Sequence, residues 1–175
     1  MRGATEALLI LARVRPGREQ ALRGALAAFG ARGPSPFARV PGTHLARLTP
    51  LVPPARRRLL RRRRTPPLHL LLAADVDAPA TRWVDGLLAA IPAEVDSVLE
   101  HCERWPGTAD GYAARAWLED ARLRAGFSVI GSPEATVAEV REALALRERL
   151  GDLALRGQDL DPVALHAAWH ALLGA

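Results

Sequence analysis

The fold is decided near the N-terminus, by the stretch ATEALLILARVRPGREQALRGALAAFG (residues 4–30). Its apolar run over residues 5–14 predicts a strand, and the Arg-Pro-Gly-Arg sequence at 15–18 predicts a turn. Residues 17–30 predict a helix, because apolar side chains recur there with helical spacing, at Leu22, Ala25, Leu26 and Phe29. This opening is informative about the fold and says little about chemistry.

The other elements follow from apolar runs, helical stripes and breakers. Strands are predicted at residues 43–51, 68–74 and 126–131, and helices at 83–91, 95–102, 109–124, 136–155 and from Pro162 onward. Thr136 and Glu139 fit a capping box, and Gly151 is a candidate break in that helix. The element order predicts the α+β class, with a ferredoxin-like split βαβ antiparallel sheet and extra helices. We expect a single domain over residues 1–175, with a C-terminal helical extension that starts at about residue 133.

The third predicted strand does not alternate between apolar and polar residues. Its sequence LHLLLAA (residues 68–74) is apolar on both sides, so both faces of the sheet should be covered. The predicted helices supply one layer. The second layer must come from another part of the chain or from a partner subunit, which favours a homodimer.

Composition restricts the class of protein. Cys102 is the single cysteine, so no internal disulfide can form. No apolar run is long enough to cross a membrane, and the N-terminus does not fit a signal peptide, so we expect a cytoplasmic protein that does not bind membranes. All 24 basic residues are arginine, which is typical of a GC-rich genome, and we therefore discount the net charge of +5 as a sign of nucleic-acid binding.

The sequence LILARVRPGREQAL (residues 9–22) resembles the start of dimeric α+β barrel proteins, a superfamily that includes antibiotic-biosynthesis monooxygenases and polyketide cyclases. In element order the resemblance extends through the fourth predicted strand. It implies two ferredoxin-like sheets packed face to face, and an activity such as cofactor-free oxygenation, cyclisation or haem binding. The superfamily shares no catalytic motif, so it assigns no residue of this chain a role.

Two histidines and an arginine on predicted strands are the candidate catalytic residues. His44 and Arg47 lie on the second strand and His69 on the third. By alternation, His44 shares a face with Ala46 and Leu48. If the strands pair, both histidines could face one cavity and act as acid, base or metal ligand. The alternative is that each histidine is half exposed near a strand end, or bonded to backbone.

A second group of candidates follows the helix that ends near residue 102. His101 adjoins Cys102, which suggests metal or thiol chemistry, although consecutive helical residues point about 100° apart. Cys102 also continues an apolar stripe, and His101 can complement a helix C-terminus. We predict that His101, Trp83 and Trp105 contact a bound ligand.

The sequence GTADG (residues 107–111) resembles the Gly-x-x-Asp-Gly pattern of dye-decolourising peroxidases, in which the aspartate works near haem. The resemblance makes Asp110 a ligand-binding candidate and haem a candidate cofactor. A helix N-cap or turn residue explains the same letters.

His166 and His170 are four residues apart on the last predicted helix. They therefore share a helical face and could bind a metal or haem iron. They lie beside the apolar stripe, which favours a surface pair, and we predict no metal site.

Seven arginines fall within the nine residues 56–64. The run could attract an anionic partner, such as a coenzyme pyrophosphate, a nucleic acid or an acidic carrier protein, through Arg57, Arg61, Arg62 and Arg63. The alternative is a solvated connection between two strands. The first and third predicted strands lack the stacking aromatics of RRM domains, which makes nucleic acid the less favoured partner.

Three functions follow as hypotheses. The favoured one is an enzyme that acts on a hydrophobic small molecule, such as a monooxygenase or cyclase of specialised metabolism, with a pocket between sheet and helices. The second is a protein that binds haem or a lipophilic ligand without catalysis. The third is a binder of carrier protein or nucleic acid through the arginine run.

Overall fold

The computed structural model describes residues 4–31, 33–52, 66–124 and 134–173. These residues form a mixed α+β structure with a four-stranded antiparallel sheet and six α-helices. The chain divides into two compact units, Met1–Ala135 and Thr136–Ala175.

The first unit contains the sheet and four of the helices. Its elements are β1 (Thr5–Arg13), α1 (Glu19–Gly30), β2 (Thr43–Leu51), β3 (His69–Asp77), α2 (Ala80–Ala90), α3 (Pro92–Leu99), α4 (Gly111–Asp120) and β4 (Arg122–Leu123), with a short 3-10 turn at Pro36–Arg39. The strand–turn–helix opening and the strand at residues 43–51 are therefore confirmed. β3 runs three residues beyond its predicted end at residue 74, because Asp75 and Asp77 still pair with Ala7 and Thr5 of β1.

The strand order in the sheet is β2-β3-β1-β4, and every neighbouring pair is antiparallel. Helix α1 connects β1 to β2, and helices α2 to α4 connect β3 to β4. β1 and β3 are neighbours in the centre of the sheet, and β2 and β4 lie outside them. β4 has only two residues, and it pairs with Leu9 and Ile10 of β1. The predicted fourth strand at residues 126–131 lies outside the described residues.

One face of the sheet forms the core. Along β3 the residues Leu70, Leu72, Ala74 and Val76 are buried, whereas the residues between them are only half-buried. The buried side chains pack with those of the helices in one cluster that includes Leu22, Phe37, Trp83, Leu87 and Val98. The apolar cavity between Phe37, Leu72, Leu87 and Val95 holds about 20 Å³, enough for a water molecule but not for a substrate.

The opposite face, which we call the open face, is half-exposed, and its apolar residues are interspersed with Arg47, Thr49, His69 and Asp75. It carries Leu9 and Leu11 of β1, Leu71 and Ala73 of β3, and Leu45 and Leu51 of β2. Leu45 is 57% exposed and Leu51 is 38% exposed. We expected both faces of β3 to be covered. In the structure the core face is buried and the open face is only half-buried, so burial alternates along β3 although the apolar sequence does not.

The sequence of residues 109–124 predicts a helix with Tyr112, Ala113, Ala116 and Trp117 facing inward and with Arg115 paired to Glu119. The stripe is rotated in the structure. Ala114 and Leu118 are its buried residues, whereas Tyr112, which was expected to point inward, is 86% exposed. Arg115 contacts Asp85 of α2 at 2.7 Å rather than pairing with Glu119. The inward face is set by the contact between α4 and α2, which the periodicity of α4 alone does not show.

The second unit contains α5 (Val137–Arg156) and α6 (Pro162–Leu173), joined by a short 3-10 turn at Gly157–Asp159. The capping box of Thr136 and Glu139 is confirmed: each residue bonds the backbone of the other. Gly151 does not break α5, which is continuous over its 20 residues. Since a single glycine costs a helix only about 1 kcal/mol, its neighbours can sustain the helix through it.

None of the helices in the described parts of the chain combines the length and the apolar composition that a bilayer span requires.

Candidate functional site

His44 lies in a β-bulge near the start of β2. Thr43 pairs with Val76 and Leu45 with Asp75, so His44 is the additional residue between two regular pairs. Thr43 faces the core, where its hydroxyl accepts a hydrogen bond from Trp83 Nε1 at 2.8 Å. The prediction that His44 shares a face with Ala46 and Leu48 is therefore wrong, because the additional residue interrupts the alternation on which it depended.

The bulge directs the His44 ring to Asp77. His44 Nε2 lies 2.9 Å from Asp77 Oδ1 and 3.4 Å from Thr5 Oγ1, and the Thr5 hydroxyl donates to Ala135 O at 3.3 Å. A carboxylate only accepts hydrogen bonds, so Nε2 of a neutral His44 carries the proton and Nδ1 is the basic nitrogen. The His44 side chain is 18% exposed and that of Asp77 29% exposed, which makes the pair partly shielded from water and still accessible.

Gly42 fits closely against the carboxylate partner. Its carbonyl accepts a hydrogen bond from Asp77 N at 2.8 Å, and its φ of 75° lies in the left-handed region. A Cβ atom on Gly42 would stand 3.0 Å from both Cβ and Oδ2 of Asp77. The backbone before β2 therefore fixes where the carboxylate can be.

The structure does not bring His44 and His69 together. His69 pairs with Leu51 at the far end of β2, and Asp77 is eight residues further along β3 than His69. At about 3.3 Å per residue, the two histidines stand roughly 25 Å apart. His69 Nδ1 lies 3.1 Å from Pro67 O, and Arg47 is an exposed residue between the two ends. The predicted shared cavity is thus wrong, since antiparallel pairing places the start of β2 beside the end of β3.

Three of the predicted ligand contacts have structural roles. Trp83 is 2% exposed and packs in the core, beside the Phe37 ring at 6.3 Å. Trp105 donates from Nε1 to Asp96 Oδ1 at 2.8 Å and meets the Trp117 ring edge-on at 5.0 Å. Asp110 is the N-cap of α4 and accepts a hydrogen bond from Ala113 N at 3.0 Å. The helix-cap interpretation of Asp110 thus describes its geometry.

His101 is the most buried histidine among the predicted site residues. It is 5% exposed, its Nδ1 has no hydrogen-bond partner among the described residues, and its Nε2 lies 3.7 Å from Glu100 Oε1. Burial lowers the pKa of His101 below its ordinary value; Glu100 opposes this effect, and Arg18 and Arg15 add to it. Burial also raises the pKa of the neighbouring Cys102 to about 12, so this thiol is not a nucleophile at neutral pH.

We expect the burial of His101 to make folding stability depend on pH. The folded state holds the ring neutral, whereas the unfolded chain binds a proton below about pH 6.5, so the free energy of unfolding should fall as the pH drops through that value. Urea unfolding followed by circular dichroism at neutral and mildly acidic pH measures the decline. A His101→Gln variant, which cannot titrate, should show a shallower decline; an equal decline in both proteins would contradict the expectation.

Sequence reasoning missed Asp77 and Thr5. The apolar run that predicted β3 ends before Asp77, and Thr5 is of a residue type that is ordinary in strands. It also missed an open cleft of about 690 Å³ beside the end of β1, where Trp117 and Arg104 stand near the Arg13–Glu103 ion pair. The signal for Asp77 was present in the alternation Ala74-Asp75-Val76-Asp77.

The predicted anion-binding arginines cannot be placed. Arg57, Arg61, Arg62 and Arg63 lie outside the described residues.

The described residues contain no group of three or more His, Cys, Asp or Glu side chains that could hold a metal ion. Comparisons of the chain with protein-family models, with curated proteins and with solved structures find no match.

Proposed function

We propose that the chain is an enzyme that takes a hydrophobic small molecule against the open face of its sheet and removes a proton from it. The observation that carries the proposal is the contact of 2.9 Å between His44 Nε2 and Asp77 Oδ1 at one end of that face. His44 Nδ1 is the general base, and Asp77 is the positioning residue that holds the ring and stabilises its protonated form.

The surroundings of the pair favour an apolar substrate. Leu45 follows His44 directly and is largely exposed, and Leu9 and Leu71 continue the apolar surface along the open face. Arg47 and Asp75 add polar groups to this face, and an apolar surface with a few polar groups is the usual composition of a small-molecule site. Oxygenation and cyclisation of an aromatic substrate can both begin with loss of a proton from an acidic C–H or O–H group, which is the step that His44 would catalyse.

The fold proposal is a ferredoxin-like sheet that pairs with a second copy. The order β2-β3-β1-β4, with helices between β1 and β2 and between β3 and β4, supports the split βαβ arrangement. A second sheet against the open face would cover the half-exposed leucines and would enclose a substrate beside His44, as in a dimeric α+β barrel.

Proton abstraction can be tested without knowing the natural substrate. Anthrone is an apolar aromatic ketone with an acidic C–H bond, and nuclear magnetic resonance in deuterium oxide measures the exchange of that hydrogen. We expect the wild-type protein to accelerate the exchange and His44→Ala to lose about 10²–10⁴-fold of the acceleration, the usual contribution of a general base. Asp77→Asn should lose a smaller part, because it keeps His44 in place but removes the negative charge.

His69→Ala is the matched control, since it removes an imidazole from the far end of the same sheet. Retained exchange in this variant, together with loss in His44→Ala, would support the pair. Exchange at the wild-type rate in His44→Ala, or a wild-type protein that neither binds nor exchanges anthrone, would contradict the proposal. Anthrone binding without accelerated exchange would favour the non-catalytic binding function instead.

A further inference from the structure

Helix α6 has an unusual surface for a helix that faces solvent. Its twelve residues, PVALHAAWHALL, include no Asp, Glu, Lys or Arg. Val163 is nevertheless 80% exposed and Trp169 44% exposed. A helix without charged side chains is normally buried, whereas most of the described residues of α6 are exposed.

Two imidazoles stand next to each other on the exposed side of this helix. His166 and His170 are four residues apart, and their ring centroids are 4.4 Å apart with the planes at 71°. Both residues are exposed, and the structure shows neither ring in a hydrogen bond or an ion pair with another described residue. Two histidines four residues apart on one helical face are a known arrangement for zinc, in which each directs a nitrogen to one ion at about 2.1 Å.

One chain provides only half of a zinc site. Structural zinc takes four protein ligands in a tetrahedron, and the described residues contain no third His, Cys, Asp or Glu near the pair. A second copy of α6, related by a twofold axis, would supply the same two imidazoles and complete the set of four. Three residues lie between the histidines, Ala167, Ala168 and Trp169, and none of them carries a charge that would oppose the approach of a second helix.

We propose that His166 and His170 bind Zn²⁺, and that the ion is shared with the same pair of a second chain, so that zinc joins two copies through α6. The metal would offset the exposure of the apolar helix, because the contact that it creates buries Val163 and its neighbours. The inference rests on the second unit alone and is independent of the function proposed for His44.

The test uses the full chain and Zn²⁺ alone as the probe. Isothermal titration should give one zinc ion for each two chains, and light scattering after size exclusion should show that zinc doubles the molar mass and that EDTA reverses the change. Cobalt(II) in place of zinc should give the intense visible absorption of tetrahedral coordination. His166→Ala and His170→Ala should each lose zinc affinity by more than about tenfold, the loss already typical of residues that only support a ligand.

His69→Ala is again the matched control, and it should keep both the binding and the doubling. Retention of zinc-dependent doubling in His166→Ala or His170→Ala would overturn the proposal, as would its loss in His69→Ala. One zinc ion bound for each chain with no change of mass would overturn the shared site. Val163→Arg, which leaves both imidazoles in place and adds no zinc ligand, should bind zinc more weakly and associate less, because a cationic side chain beside the ion prevents the second helix from packing closely; unchanged association in this variant would contradict a contact through α6.

Discussion

Replacement of Trp83 with alanine should lower the free energy of unfolding of the first unit by about 3–5 kcal/mol, the usual cost of removing a buried tryptophan side chain. Trp83 is 2% exposed and lies within the cluster that joins the helices to the sheet. Its loss would leave a cavity beside Phe37 and would also remove the donor that bonds Thr43 Oγ1. Native-state hydrogen exchange of peptides from β1 and β3 measures the effect in the unit that contains the change.

Trp83→Phe separates the two contributions. It keeps an aromatic ring in the core but cannot donate to Thr43, so it should cost about 1–2 kcal/mol. Equal losses in the two variants would mean that the hydrogen bond, and not the volume of the ring, dominates. A loss below about 1 kcal/mol in Trp83→Ala would contradict the position of Trp83 in the packed core.

Replacement of Gly42 with alanine should destabilise the first unit and also displace Asp77 from His44. The left-handed backbone costs a residue with a Cβ about 1–2 kcal/mol. The new methyl group would in addition stand 3.0 Å from the Asp77 side chain, and overpacking of this kind costs about 1–3 kcal/mol more. The ring Nε2–H signal of His44 in nuclear magnetic resonance should lose its protection from solvent exchange when the carboxylate moves away.

Gly17→Ala is the control for backbone strain. Gly17 has a φ of 82°, and a Cβ atom there would meet no other atom within 4 Å. This variant should therefore show the strain alone and leave the His44 signal unchanged. An unchanged His44 signal in Gly42→Ala would contradict the positioning of Asp77 by the backbone of residue 42.

Three of the four described strands were predictable because their signals are local, whereas β4 (Arg122–Leu123) lies where the sequence predicted the end of a helix. The apolar run of β1, the Pro-Gly turn and the stripe of α1 each depend on neighbours in sequence, and the boundaries of β2 were predicted at the residues where they occur. The capping box of Thr136 was equally visible, since the two residues that form it are three positions apart.

The candidate site was only half predictable because it depends on contacts between strands. His44 was identified by residue type, but the bulge that turns it toward Asp77 arises from the register between β2 and β3. Asp77 is brought to His44 by the pairing of the end of β3 with the start of β2, and no spacing in the sequence encodes that distance. Trp105 and Asp110 were selected as ligand contacts for their chemistry, and the structure gives both of them hydrogen bonds to nearby groups of the protein.

The bulge at His44 also affects how the sheet can grow. β2 is one of the two edge strands that the described residues form, and an edge strand exposes a row of backbone donors and acceptors that can pair with a strand of another molecule. The additional residue at His44 disrupts the regular spacing of that row, Arg47 adds a charge, and Pro50 has no N–H to donate. The strand that carries the candidate base is thereby protected against edge-to-edge aggregation, and its apolar neighbours can remain exposed to a ligand without extending the sheet into a fibril.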